Sequence, residues 1–133
     1  MREMNEAEQL RQIIAESGNI VFFGGAGVSV PSGIPDFRSP DGLYGSGAGI
    51  SPEVILSHGY FEAHTEEFFD FYRKKMLYLN AKPNAAHIFL AELEKKGKLK
   101  AVVTQNIDGL HRAAGSKNVF ELHGSVYRNY CGR

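Results

Sequence analysis

A phosphate-binding loop is predicted where a short apolar run ends in glycines. The apolar residues 20–23 are followed directly by the sequence Gly-Gly-Ala-Gly-Val-Ser at positions 24–29. A buried strand that runs into glycines and a small hydroxyl residue forms a backbone cradle for a phosphate-bearing ligand. At Gly25, Ala26 and Gly27 the backbone can approach a pyrophosphate closely. A tight turn from a strand into a loop is the simpler alternative.

The residues after this cradle depart from the dinucleotide-binding Rossmann fingerprint. Val30 stands where that fingerprint has its third glycine, and no strand with an acidic tip is predicted about 20 positions later. Residues 28–50 instead predict a long irregular loop, which is uncommon unless functional or disordered. The loop offers Asp36, Phe37 and Arg38 to a ligand. Arg38 carries a fork of donors suited to phosphate, although it could simply pair with Asp36. A generic Rossmann oxidoreductase is therefore a remote alternative.

A second group of polar residues follows a predicted strand. The apolar run at 99–103 predicts a buried strand of a parallel sheet, and such strands bind ligands at their carboxyl ends. Residues 105–108 place two amides, an apolar side chain and a carboxylate at this strand tip. An apolar residue flanked by carboxamides suits a flat, polar ring such as nicotinamide. The alternative is a turn that caps the next helix.

His123 is the candidate general base, because it follows a third predicted strand at 119–122 and histidine is the usual proton acceptor in catalysis. The alternative is a hydrogen-bonded core histidine. We interpret His87, at a predicted helix start, as structural and His111 as lying behind the site. His58 and His64 are predicted to be surface residues.

Three blocks of this sequence together resemble the sirtuins, the NAD-dependent protein lysine deacylases. Residues 25–44 resemble the first sirtuin signature, and Thr-Gln-Asn-Ile-Asp-Gly-Leu-His at 104–111 and Glu-Leu-His-Gly-Ser at 121–125 follow in the family's order and spacing. The resemblance implies a protein deacetylase, a transferase that moves the acetyl group of a modified lysine to ADP-ribose and releases nicotinamide from NAD. His123 would take a proton from a ribose hydroxyl. An acetylated-lysine peptide would lie in the cleft as an extended strand.

The resemblance also implies which residues contact NAD. The matching Phe lies near the nicotinamide ribose, the matching Ile and Asp line the nicotinamide pocket, and the Gln and Asn meet the ribose and a water. At Val30 the family often has a hydroxyl residue, so one polar contact to NAD is expected to be missing there. The predicted cofactor-binding residues are Ala26, Gly27, Val30, Phe37, Arg38, Gln105, Asn106, Ile107 and Asp108.

Sirtuins also hold a structural zinc with two Cys-x-x-Cys pairs. Cys131 falls where the first of these cysteines is expected, and the second would be position 134, beyond Arg133. We therefore predict an incomplete zinc site with Cys131 as its one candidate ligand, or simply a lone cysteine. Sirtuins that prefer acidic acyl groups carry a Tyr and, three residues later, an Arg. An ungapped match places Phe69 and Tyr72 there, which favours acetyl or apolar acyl groups.

Length and charge narrow the classes of partner. The chain has 133 residues, with 15 basic and 15 acidic side chains. This balance gives no sign of a nucleic-acid or membrane-surface partner, and no apolar run approaches the roughly 20 residues of a membrane span. The first residues lead into no signal-peptide core. One cysteine, Cys131, agrees with a reducing compartment, so we expect a cytoplasmic protein.

The predicted fold is α/β, a Rossmann-like parallel sheet with flanking helices of the sirtuin type. Residues 1–133 would form one partial NAD-binding catalytic domain, truncated before the zinc module and the second half of the sheet. Helices are predicted at 6–17, from Ser51 and Pro52, as one long helix over 61–79, and after Asn84. An inactive fragment or pseudoenzyme that binds nicotinamide or NAD weakly is the alternative. Truncation would leave apolar surface and strand edges uncovered.

Overall fold

A three-stranded parallel sheet forms the centre of the computed structural model, which describes residues 5–37 and 49–131. Its strands are β1 (Ile20–Gly24), β2 (Leu99–Thr104) and β3 (Val119–Glu121), in the spatial order β1-β2-β3. Because both pairings are parallel, all three strands end at the same edge of the sheet. The predicted α/β fold with a parallel sheet is confirmed.

Helices flank the sheet in the described part of the chain. The predicted caps Ser51 and Asn84 are confirmed, because the side chain of each accepts a hydrogen bond from a backbone N–H in the first turn of its helix. Asn5, which was not predicted as a cap, does the same for the first helix. The helices are α1 (Glu6–Glu16), a 3-10 helix (Ala26–Ser32), α2 (Pro52–Ile55), α3 (His58–Ala63), α4 (Thr65–Lys75), α5 (Ala85–Lys95) and α6 (Leu110–Ala113).

Two predicted boundaries are wrong. The single helix over 61–79 is divided at His64, whose φ of −136° and ψ of 51° are not helical, and α4 stops at Lys75. His64 ends α3 and begins α4, while Phe61 and Phe68 still pack edge to face across the break, with ring centroids 4.9 Å apart. The first residues of the loop predicted over 28–50 belong instead to the 3-10 helix, whose last residue Ser32 is followed by Gly33 with a left-handed φ of 83°.

The core lies on one face of the sheet, against α5. Its buried apolar residues are Leu90, Leu93, Leu99, Val102 and Val119. On the opposite face Val21, Phe23 and Phe120 are 59–63% exposed. The prediction that residues 20–23 are buried on both faces is therefore wrong, because successive side chains of a strand alternate and the described helices cover one side. Within residues 5–37 and 49–131, no helix is both long and apolar enough to cross a membrane.

Candidate functional site

A cavity of about 830 Å³ opens at the edge where the three strands end. Five parts of the chain form its wall: the 3-10 helix with the segment after it, the end of α2, the end of α4 with the residues after it, the loop after β2, and the turns after β3. Six predicted cofactor-binding residues lie on this wall, together with the predicted base His123. The lining residues that concern the site are Ala26, Asp36, Phe37, Gln105, Asn106, Ile107, Asp108 and His123, joined by Ser29, Lys75 and Tyr127.

The glycines after β1 allow other groups to approach the backbone closely. At Gly25 the group that approaches is the side chain of Gln105. A Cβ at Gly25 would lie 3.1 Å from Oε1 of Gln105, tighter than most Cβ contacts. The backbone N–H of Gln105 donates to the carbonyl of Gly24 at 3.0 Å. A Cβ at Gly27 would meet no atom of the described residues within 4 Å. Gly25 therefore lets the loops after β1 and β2 meet, and Gly27 keeps open space beside the backbone.

Ser29 is the polar centre of the cavity floor. Its side chain is fully buried, and its Oγ donates to Oδ2 of Asp108 at 2.6 Å and accepts from Nδ2 of Asn106 at 3.0 Å. The other oxygen of Asp108 accepts from the backbone N–H of Leu110 at 2.9 Å. These bonds join the 3-10 helix after β1 to the loop after β2. They fix the orientation of the Asp108 carboxylate and leave Ile107 beside it on the wall.

Asn84 ties the helix layer to the same floor. Its side-chain amide donates to the carbonyl of Val28 at 2.8 Å and to Oγ of Ser32 at 2.9 Å, while its Oδ1 caps α5 by accepting from Ala86 N. One side chain therefore sets both the start of α5 and the position of the 3-10 helix.

Two buried histidines lie behind Asp108. The rings of His87 and His111 are 4.7 Å apart, and Phe22 packs on His111. Both histidines are 2% exposed or less. Burial lowers the pKa of His87 and lowers that of His111 to about 4, with the neighbouring histidine adding to the second shift. His87 Nδ1 accepts from Asn84 N at 3.3 Å, whereas His87 Nε2 and both ring nitrogens of His111 have no hydrogen-bond partner among the described residues.

His123 stands at the rim of the cavity with an exposed side chain. The chain around it is held from two sides: Leu122 N donates to Thr104 O at 3.0 Å, and Val126 N donates to Ile107 O at 3.0 Å. The predicted base therefore faces the same cavity as Ile107 and Asp108, although 15 or more positions separate them in sequence.

Several predicted residues fall elsewhere. Val30 is 46% exposed and lies outside the described wall of the cavity. Arg38 lies outside the described residues. Cys131 is an exposed free cysteine, and residues 5–37 and 49–131 contain no group of three or more His, Cys, Asp or Glu side chains placed to hold a metal ion.

The two residues matched to the pair that recognises acidic acyl groups in some sirtuins also lie away from the cavity. In the described part of the chain, the wall includes neither Phe69 nor Tyr72, and their helix contributes Lys75 instead. The ungapped match found no cation for an acidic acyl group, but the structure brings the Lys75 side chain to the cavity wall.

Ser29 is the main residue that the sequence reasoning did not assign to the site. Its hydroxyl belongs to the predicted phosphate cradle, and that pattern is the feature of the sequence that pointed to Ser29. Its partner Asp108 is 79 residues away, and only the pairing of β1 with β2 brings the two together.

Known proteins share this sequence and fold. The sequence model of the Sir2 family matches residues 25–133. The NAD-dependent protein deacetylases of Clostridium acetobutylicum and Clostridium tetani are 63% and 65% identical over 130 residues, 96% of this chain and 53% of each relative. A solved Sir2 variant with a deacetylated peptide and 3′-O-acetyl ADP-ribose is 44% identical, with a TM-score of 0.86, over 97% of this chain and 51% of that chain. A solved Sir2 complex with a peptide and NAD+ is 45% identical, with a TM-score of 0.82, over 97% of this chain and 50% of that chain.

The parallel sheet and the cavity at its carboxyl edge define a Rossmann-like α/β class of protein. Within it, this chain belongs to the Sir2 family, as the resemblance predicted. It spans about half the length of the curated relatives that it matches.

Replacing Ser29 with alanine should destabilise the fold by about 1–3 kcal/mol, because the partly buried Oδ2 of Asp108 and the amide of Asn106 each lose the hydrogen bond to the buried Ser29 hydroxyl. Ser116→Ala is the matched control, since Ser116 is also buried but its Oγ has no partner among the described residues. Urea unfolding of both variants measures the difference. Equal losses of unfolding free energy in the two variants would show that the Ser29 hydrogen bonds do not stabilise the fold.

The buried histidines should make stability fall in acid. Their pKa values are lower in the folded chain than the ordinary 6.5, so the unfolded chain binds more protons below that pH. The free energy of unfolding is therefore unaffected by these two groups above pH 6.5 and falls as the pH drops towards 4. The loss is about 3 kcal/mol for His111 alone. Urea unfolding at pH 7 and pH 4.5 measures this, with His111→Leu flattening the dependence and exposed His58→Gln leaving it unchanged.

Proposed function

We propose that this chain carries the nicotinamide side of an NAD-dependent protein lysine deacetylase site. The observation that carries the proposal is that Phe37, Ile107, Asp108 and His123, from three separate parts of the chain, line one cavity at the carboxyl edge of the sheet. Its volume lies in the range of small-molecule sites. The curated relatives are named NAD-dependent protein deacetylases, and two related solved structures contain a peptide with NAD+ or with an acetylated ADP-ribose.

Each part of the wall suits one part of this reaction. NAD enters as a substrate, and the apolar Ile107 beside the oriented Asp108 carboxylate suits the polar nicotinamide ring. Open space at Gly27 suits the approach of a phosphate to the backbone. His123 at the rim is the group that would accept the proton of a ribose hydroxyl when the acetyl oxygen of the substrate lysine attacks. The peptide that bears this lysine would lie along the cleft.

The described residues do not fit a zinc ion. Cys131 offers one thiol, and a structural zinc site needs four ligands. No step of the proposed reaction uses a metal. A cytoplasmic location and the assignment of residues 1–133 to a partial catalytic domain stay predictions.

Binding without turnover is the alternative to catalysis at this cavity: the nicotinamide side of the site would bind nicotinamide and release no product. This alternative and the enzyme share the cavity, and they differ in catalysis.

The deacetylase proposal predicts that the chain releases nicotinamide from NAD only when an acetyl-lysine peptide is present. His123→Ala should lower this release by at least about a hundredfold, the size of a typical general-base contribution, while leaving the melting temperature unchanged because the side chain is exposed. Chromatography of nicotinamide and acetylated ADP-ribose measures both. His58→Gln serves as a surface control. If NMR shows nicotinamide binding at Ile107 but no product is formed, the deacetylase proposal is contradicted and binding without turnover is supported.

The acetyl group should be removed faster than a succinyl group, as the match of Phe69 and Tyr72 predicted. Lys75 on the cavity wall should give the slower succinyl reaction part of its rate, because an ammonium group attracts the acyl carboxylate. Lys75→Met should therefore lower the succinyl rate severalfold and leave the acetyl rate nearly unchanged, and Lys74→Met, on the same helix, is the control. Peptide assays with both acyl groups measure the ratio. Faster succinyl than acetyl turnover would contradict the acetyl preference.

A further inference from the structure

We propose that Glu121 is a positioning residue for His123, acting through an ion pair with Arg128 that closes the turn on which His123 stands. The inference rests on the proposed role of His123 as the general base. It adds to that role a buried carboxylate two residues before the histidine and a guanidinium five residues after it.

Two successive turns follow β3. Gly124 N donates to Glu121 O at 3.2 Å, and Arg128 N donates to Ser125 O at 3.2 Å. Gly124 has a left-handed φ of 80°, which lets the chain reverse directly after His123. His123 therefore occupies the first turn, and its direction depends on how residues 121–128 are held together.

The Glu121 side chain closes this segment. Its Oε2 lies 2.5 Å from Nη1 of Arg128 and 3.6 Å from Nε of Arg112. Arg112 is itself fixed, because its Nη2 donates to Val119 O at 2.7 Å. One carboxylate thus connects α6, the end of β3 and the end of the second turn.

Burial separates this pair from an ordinary surface ion pair. The Glu121 side chain is 3% exposed, whereas those of Arg112 and Arg128 are 48% and 45% exposed. A buried carboxylate that loses its partner is costly, yet a buried pair adds little net stability compared with apolar residues. What such a pair does well is to favour one geometry, because its bonds form only at a defined distance and direction. Here that geometry is the turn bearing His123.

A second carboxylate at the other end of β3 provides a matched control. Glu94 accepts from Lys117 N and Asn118 N, both at 2.8 Å, and so holds the chain where it enters β3. Glu94 and Glu121 both fix the backbone beside the same strand, but only Glu121 is at the end that carries His123. Loss of either carboxylate should lower stability, but only the loss of Glu121 should also lower the rate of catalysis.

The experiment compares Glu121→Gln with Glu94→Gln in the full chain, with kcat measured per folded molecule. Glu121→Gln should lower kcat about tenfold to a hundredfold, the range for a misplaced catalytic group, and leave KM for NAD nearly unchanged. Arg128→Met should do the same, while Arg128→Lys, which keeps the charge, should retain most of the rate. In a His123→Ala background, Glu121→Gln should cause no further loss. Equal kcat losses for the two glutamate variants, or a full further loss in the His123→Ala background, would overturn the proposal.

A readout without turnover separates this inference from the proposed function. The side-chain NMR signals of His123 should shift or broaden in Glu121→Gln and stay unchanged in Glu94→Gln. If the unaltered chain shows no deacetylation but the His123 signals respond in this way, the proposed function fails and the positioning role stands. Unchanged His123 signals in Glu121→Gln would refute the positioning role, whatever the activity.

Discussion

The parallel pairing of three strands is the constraint on which the site depends. Because β1 and β3 both run parallel to β2, the three following segments all leave the sheet at one edge. The 3-10 helix, the loop after β2 and the turns after β3 therefore meet there, although they are far apart in sequence. Antiparallel pairing of any strand would move one of these segments to the opposite edge and divide the cavity wall.

Buried polar groups then make this meeting specific. Ser29 and Asp108 pair across the cavity floor, and Asn84 ties the helix layer to it. The two histidines behind Asp108 contribute little hydrogen bonding within the described residues and are kept neutral by burial. A satisfied polar network beside groups that resist charging favours a single arrangement of the floor, at some expense of stability.

The sequence predicted the strands, two of the helix caps and the wall residues that directly follow the strands, since these follow from apolar runs, capping residues and strand ends. It could not predict the break at His64, because the aromatic stripe continues with helical spacing across it. It also assigned two buried faces to β1, because an unbroken apolar run looks the same whether one face or both are covered. The role of Ser29 depends on a partner 79 residues away, and no local pattern encodes such a pairing.

The connections between the strands differ greatly in length, and this difference bears on the order of folding. Residues 105–118 join β2 to β3, whereas residues 25–98 separate β1 from β2. Nearby segments find one another sooner than distant ones, because closing a longer loop restricts more of the chain. We expect α5, β2 and β3 to assemble first and β1 to dock onto them afterwards. The glycine-rich end of β1 would then be the last part of the cavity to arrive, so the pocket would exist only once the slowest pairing is complete.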